Sequence, residues 1–212
     1  MSTLRTTGDH VLHGQAKLTC CLFSHAVIIM EYVGSRNLHR LLVELQDKVL
    51  GRSWLVQAGH QVALALSHCH SKGIIHLDVK PANVLVTRKG VCKLGDFGCS
   101  VSLNDLSLGM DHSLVGTPGY QAPEFLRGQH PTSHCDVYSL GILLWQLDSR
   151  EVPFSGRHPQ VVMYQVVATC ARPCTPAPAC ASVNMAAFTS LYQACWHHRP
   201  QARPSTEVSQ YT

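Results

Sequence analysis

The sequence predicts an α+β fold, with short strands near the N-terminus and helices through most of the remainder. Three observations carry this. Ala26 to Tyr32 (AVIIMEY) is a short apolar run rich in β-branched residues, the pattern of a buried strand. From Ser53 to about Lys72, Leu55, Val62, Ala63, Leu66 and Cys69 fall largely on one helical face. Asp136 to Leu147 (DVYSLGILLWQL) is the most apolar segment and predicts a central buried helix.

The elements follow in order. Residues 1–24 are weakly patterned. Gly34-Ser35 ends the first apolar run, and Leu38, Leu41, Leu42 and Leu45 then recur at helical spacing. Ser53 is the expected cap of the next helix, and Gly73 stands where a helix-terminating residue belongs. Asn83–Val86 and Val91–Leu94 read as two strands joined by a turn at Arg88-Lys89-Gly90. Asp96 to Glu124 reads as a long loop with four Gly and two Pro, and loops of that length inside a domain are usually functional. Helices are expected near 158–169 and 184–196, split by a Pro- and Cys-rich loop at 171–180.

Composition bounds the function. The chain has 212 residues, 45% of them hydrophobic, enough for a substantial core. Only 14% are charged, against roughly 25% in ordinary domains, so ion-pair networks are not its main support. The net charge of +4 is scattered, which argues against nucleic acid as a partner. No stretch approaches the ~20 apolar residues of a membrane-spanning helix. Ten Cys and 14 His invite a metal reading, but no Cys-x-x-Cys occurs. Cys170, Cys174 and Cys180 lie among prolines with no His nearby. The first residues lack the apolar run of a secretory signal, so reduced thiols of a cytosolic chain are expected.

Three sites recur in order: His76-Leu77-Asp78-Val79-Lys80-Pro81-Ala82-Asn83, Asp96-Phe97-Gly98 and Ala122-Pro123-Glu124. Any one tripeptide is weak evidence; the ordered set is specific. Together they resemble the protein kinase catalytic core. The resemblance implies a protein kinase-like fold, mainly the α-helical C-terminal lobe with the hinge and a remnant of the N-terminal β-lobe. Residues 1–25 are then an atypical or remnant small-lobe segment, and 26–212 the kinase-like domain. Within it fall a hinge at 30–34, a catalytic loop at 76–83, an activation segment at 96–124 and C-lobe helices over 136–205.

The chemistry of these residues suits phosphoryl transfer. Asp78 would accept the proton of the attacking hydroxyl. Asn83 and Asp96 offer the hard oxygen ligands that Mg²⁺ prefers. Lys80, two residues after the base, would reach the γ-phosphate of ATP. Lys80 followed by Pro81 resembles the serine/threonine branch. The resemblance also makes Met30 the gatekeeper, with Glu31 and Tyr32 offering hinge backbone to adenine, although Met30 reads equally as an ordinary core residue. Leu85 resembles the floor beneath adenine, and Thr117 a substrate-positioning residue beside the base. Asp136 resembles the buried anchor of the catalytic loop, and Glu124 and Arg203 a buried structural ion pair.

His76-Leu77-Asp78, Asp96-Phe97-Gly98-Cys99-Ser100 and Val152-Pro153-Phe154-Ser155-Gly156 are similar to the Mos family of serine/threonine kinases. That resemblance implies a cytoplasmic germ-cell kinase upstream in a MAP kinase cascade, with a MAP kinase kinase as its protein substrate and a role in oocyte meiosis. Leu77 replaces the usual Arg, which removes the expected cation partner of a phosphorylated activation segment. Gln121 replaces another Arg. No Gly-x-Gly-x-x-Gly occurs within these residues, and Lys17 in Gln15-Ala16-Lys17 lies too close to Met30 to be the phosphate-binding Lys of the small lobe. Lys17 is therefore expected in a solvated loop, and the activity of this chain as written is expected to be weak. Two readings stay open. One is a Mos-like kinase. The other is a catalytically inactive kinase-like lobe that binds partners around 103–130 and 157–182.

Overall fold

A computed structural model of the chain describes residues 17–20, 26–44, 51–103, 115–175 and 183–206. The chain divides into two units, Met1–Gly34 and Ser35–Thr212. In the first, β1 (Lys17–Cys20) runs antiparallel to β2 (Ala26–Ile29), with Lys17 opposite Ile29 and Cys20 opposite Ala26. Lys17 thus opens a strand rather than lying in a loop. Four residues are too few to show an alternation, and the partner strand decides the conformation. Strand β2 stops at Ile29, short of the expected end at Tyr32.

The second unit begins with α1 (Leu38–Glu44), whose Leu38, Leu41 and Leu42 are buried as their spacing predicts. Asn37 Oδ1 accepts the Arg40 amide at 2.8 Å and caps the helix. Helix α2 (Arg52–Ser71) buries Leu55, Ala58, Val62, Leu66 and Cys69 on one face. It starts from Gly51 with no side-chain cap, so Ser53 lies inside the helix rather than at its cap. At the far end Gly73 takes φ +69° while its amide donates to the His70 carbonyl at 2.9 Å. A left-handed residue here favours glycine, and it turns the chain directly into the segment that carries His76 and Asp78.

Three two-stranded pairings organise that region and the first unit. Strand β3 (Ile74–Ile75) pairs antiparallel with β6 (Val101–Ser102), so the stretches before and after the predicted site are tied together. Strands β4 (Val84–Val86) and β5 (Cys92–Leu94) form the expected hairpin, Leu85 facing Lys93. The segment after Asp96 is more structured than a loop. Its described residues hold a 3₁₀ turn at Phe97–Cys99, then β6, and α3 (Pro123–Leu126) at its end. Residues 104–114 of the expected activation segment lie outside the described residues.

Helix α4 (Ser133–Ser149) is the centre of the unit: every residue from Cys135 to Leu147 is buried. A helix buried all round needs neighbours on each side. Helix α6 (Val183–Cys195) packs directly against it. A Cβ on Gly141 would come within 2.9 Å of the Trp196 amide nitrogen and 3.0 Å of the Tyr192 carbonyl oxygen. Helix α5 (Pro159–Ala168) packs against α3 and buries Val162 and Val166. Each such aliphatic side chain contributes roughly 1.5–3 kcal/mol when fully buried. Burial also pushes the thiols of Cys69, Cys92 and Cys195 up to about 11 and that of Cys135 to about 12, leaving them protonated packing groups. No helix among the described residues is long and apolar enough to cross a membrane.

Candidate active site

The site is built outward from α4. Asp136, fully buried, accepts the backbone amides of His76 and Leu77, each at 2.8 Å, on its two carboxylate oxygens. His70, in the last turn of α2, adds Nε2 at 2.8 Å, and its Nδ1 lies 2.7 Å from Thr206 Oγ1. These bonds hold Leu77 at φ +63°, a conformation costing a non-glycine residue roughly 1–2 kcal/mol. The Leu77 side chain is 5% exposed and joins the hydrophobic core. The backbone turn then brings Asp78 to the surface of the core.

His76 completes the frame. The Gly95 carbonyl can only accept and the Asp78 amide can only donate. Their distances of 3.0 Å to Nε2 and 3.3 Å to Nδ1 therefore select the neutral Nε2–H tautomer. The ring also packs on Phe97 with centroids 4.8 Å apart. The His76 side chain thus touches both the loop carrying Asp78 and the segment carrying Asp96.

Asp78, Lys80, Asn83 and Thr117 converge. Lys80 Nζ donates to Asp78 Oδ2 at 2.7 Å and to Thr117 Oγ1 at 2.6 Å. Thr117 Oγ1 donates in turn to Asp78 Oδ1 at 2.6 Å. Asn83 Nδ2 donates to Asp78 Oδ2 at 2.8 Å and to the Asp78 carbonyl at 2.9 Å. Burial works against ionisation of Asp78, but the hydrogen bonds from Lys80, Thr117 and Asn83 and the Lys80 charge outweigh it. The carboxyl is held below its ordinary 3.8. An ionised carboxylate is an acceptor that can receive a hydroxyl proton.

Thr117 reaches Asp78 because Gly116 lies against the catalytic loop. At φ +101°, a Cβ there would stand 2.7 Å from the Leu77 carbonyl oxygen, so only glycine fits. Gln121, at the position where an Arg was expected, is buried, and its Nε2 donates to the Val115 carbonyl at 2.8 Å across this turn. The segment is anchored at its end by Glu124. Arg203 Nη1 and Nη2 grip the two Glu124 oxygens at 2.6 and 2.8 Å, and the guanidinium also donates to the carbonyls of His134 and His197 at 2.8 Å each.

Asn83 and Asp96 form the candidate metal ligands. Because the Asn83 amide nitrogen is committed to Asp78, its carbonyl oxygen is the group left for a ligand. Asp96 is exposed, takes φ +58°, and accepts a 3.4 Å bond from the Gly98 amide. The Gly95 amide donates to the Asn83 carbonyl at 2.9 Å, which places the two residues on adjoining backbone. Among the described residues no group of three or more His, Cys, Asp or Glu gathers as a metal cage. One carboxylate and one amide oxygen fit Mg²⁺ shared with phosphate groups, the usual arrangement for that ion.

The remaining expected residues are placed as follows. Leu85 sits half-buried on β4 and bridges its backbone to Asn37. Met30, Glu31 and Tyr32 fall in the first unit, where Met30 and Tyr32 are 72% and 85% exposed. His70 was not anticipated. Its only signal was a His in the last turn of a helix that feeds directly into the catalytic loop.

The fold is that of a protein kinase domain. The protein kinase domain family matches residues 15–211, and the chain belongs to that family. Among known proteins it is similar to the proto-oncogene serine/threonine-protein kinase mos of Rattus norvegicus, 39% identical over 198 residues. It is likewise similar to the serine/threonine-protein kinase mos of Patiria pectinifera, 44% identical over 188 residues, and to the serine/threonine-protein kinase-transforming protein mos of Moloney murine sarcoma virus, 41% over 199. These alignments cover 88%, 86% and 88% of this chain and 58%, 52% and 53% of the respective relatives. The chain therefore spans little more than half their length.

Proposed function

We propose that this chain carries the catalytic core of a serine/threonine protein kinase that transfers the γ-phosphate of ATP to a Ser or Thr hydroxyl of a protein. The observation that supports it best is the ionised Asp78 held by Lys80, Thr117 and Asn83. In the reaction the substrate hydroxyl hydrogen-bonds to Asp78 and gives up its proton there. Its oxygen forms the new bond to the γ-phosphorus as the bond to the ADP oxygen breaks. Lys80 neutralises charge beside the base, and Thr117 fixes the carboxylate's orientation. Asn83 and Asp96 would hold Mg²⁺, which when bound supplies charge neutralisation at the phosphates. Leu85 would lie under adenine, as the family resemblance implies. The likeness to mos kinases supports a cytoplasmic role upstream in a MAP kinase cascade and in oocyte meiosis, on a MAP kinase kinase.

The test is phosphate incorporation into dephosphorylated casein from γ-labelled ATP with Mg²⁺. The wild-type chain is expected to label Ser or Thr, and Asp78→Asn to lower the rate by about 10²-fold or more. No labelling by a folded wild-type chain, or equal labelling by Asp78→Asn, overturns the proposal and leaves a non-catalytic binding lobe.

A further inference from the structure

Helix α5 departs from the ordinary surface helix, which turns charged side chains to water. Its ten residues, PQVVMYQVVA, include none. Val162 and Val166, 4% and 1% exposed, define the inner face. The outer face carries Val161, Tyr164 and Ala168, at the i, i+3, i+7 spacing of one stripe. Val161 is 47% and Tyr164 69% exposed. A single exposed apolar residue is ordinary, but an uncharged stripe is the mark of an interaction surface.

Two cations frame the stripe. Arg157 Nη1 donates to Gln165 Oε1 at 2.8 Å, which lays its guanidinium along one flank of the helix. Arg127 Nη2 donates to the Val167 carbonyl at 3.1 Å, at the C-terminal end. Both arginines are exposed, and neither meets a carboxylate among the described residues. A second copy of the chain, docked by two-fold symmetry, would oppose this positive rim to itself. The charge calls for an acidic partner.

We propose that α5 docks a protein segment whose apolar side chains seat on Val161 and Tyr164 and whose flanking Asp or Glu residues pair with Arg157 and Arg127. The docking needs no phosphoryl transfer, so it stands or falls separately from the catalytic reading.

The experiment uses two fluorescent peptides with leucines at helical spacing, one with glutamates between them and one with lysines. Anisotropy titrations are run on the wild-type chain, Tyr164→Glu and Arg157→Glu. Circular dichroism melts check that these exposed substitutions leave the fold intact. The glutamate peptide is expected to bind wild type about tenfold tighter than the lysine peptide, and to weaken as salt rises. Each variant is expected to lose about tenfold for it. Absence of binding, equal binding of the two peptides or unchanged binding by the variants overturns the proposal. So does a wild-type dimer in sedimentation that Tyr164→Glu dissolves, or phosphatidylserine vesicles binding through the same residues in place of the peptide.

Discussion

Thr117 Oγ1 donates to Asp78 Oδ1 at 2.6 Å while accepting Lys80 Nζ at 2.6 Å. A residue far along the chain therefore completes the hydrogen-bond set of the candidate base. Thr117→Val removes both bonds and keeps the shape. Hydrogen bonds to charged groups contribute roughly 1.5–3 kcal/mol, so the rate of phosphate transfer is expected to fall about ten- to a hundredfold. Thr117→Ser restores the hydroxyl and is expected to recover most of it. Equal rates for the Val and Ser variants contradict this role.

The depressed pKa of Asp78 has a consequence for stability. Burial raises it, but the bonds from Lys80, Thr117 and Asn83 lower it further than burial raises it. A folded value below the unfolded one means that ionised Asp78 stabilises the fold above the unfolded pKa. That stability is lost as pH falls through the folded value. Wild type is expected to melt above Asp78→Asn at about pH 6, and the gap to close below about pH 4. A gap independent of pH in thermal melts contradicts the assignment.

Glu124 and Arg203 form a buried ion pair, their side chains 6% and 0% exposed. Arg203→Met leaves the Glu124 carboxylate buried without its counter-charge and is expected to cost about 3–5 kcal/mol in denaturant unfolding. Adding Glu124→Gln to that variant removes the stranded charge and is expected to return part of the loss. A double variant less stable than Arg203→Met by the full cost of Glu124→Gln alone would show the two residues to be uncoupled.

Much of this architecture was legible in the sequence, for identifiable reasons. Helix α2 was expected over 53–72 and runs Arg52–Ser71, because its apolar face repeats over many turns. Helix α4 was expected over 136–147 as the most apolar segment and extends about one turn earlier, to Ser133. The convergence of Asp78, Lys80, Asn83 and Thr117 was anticipated only through an ordered set of motifs, since nothing local to Thr117 points at Asp78. Strands β3 and β6 escaped notice because two residues each show no period, and their pairing joins Ile75 to Val101 across the whole catalytic loop. His70 escaped because its partners, Asp136 and Thr206, are distant in the chain. Local patterns reveal helices; long-range bonds between single side chains need the folded chain.

The most direct test of the account is thermal unfolding with Mg·ATP, with ATP plus a chelator, and without ligand. A ligand that binds only the folded state stabilises it by about 2.7 kcal/mol at a hundredfold excess over Kd, a shift of several degrees in Tm. Mg·ATP is expected to raise the Tm of the wild-type chain and of Asp78→Asn, and the chelator or Asp96→Asn to abolish the rise. A folded wild-type chain with no shift, or an undiminished shift in Asp96→Asn, would contradict the reading of Asn83 and Asp96 as the metal-binding half of a kinase site.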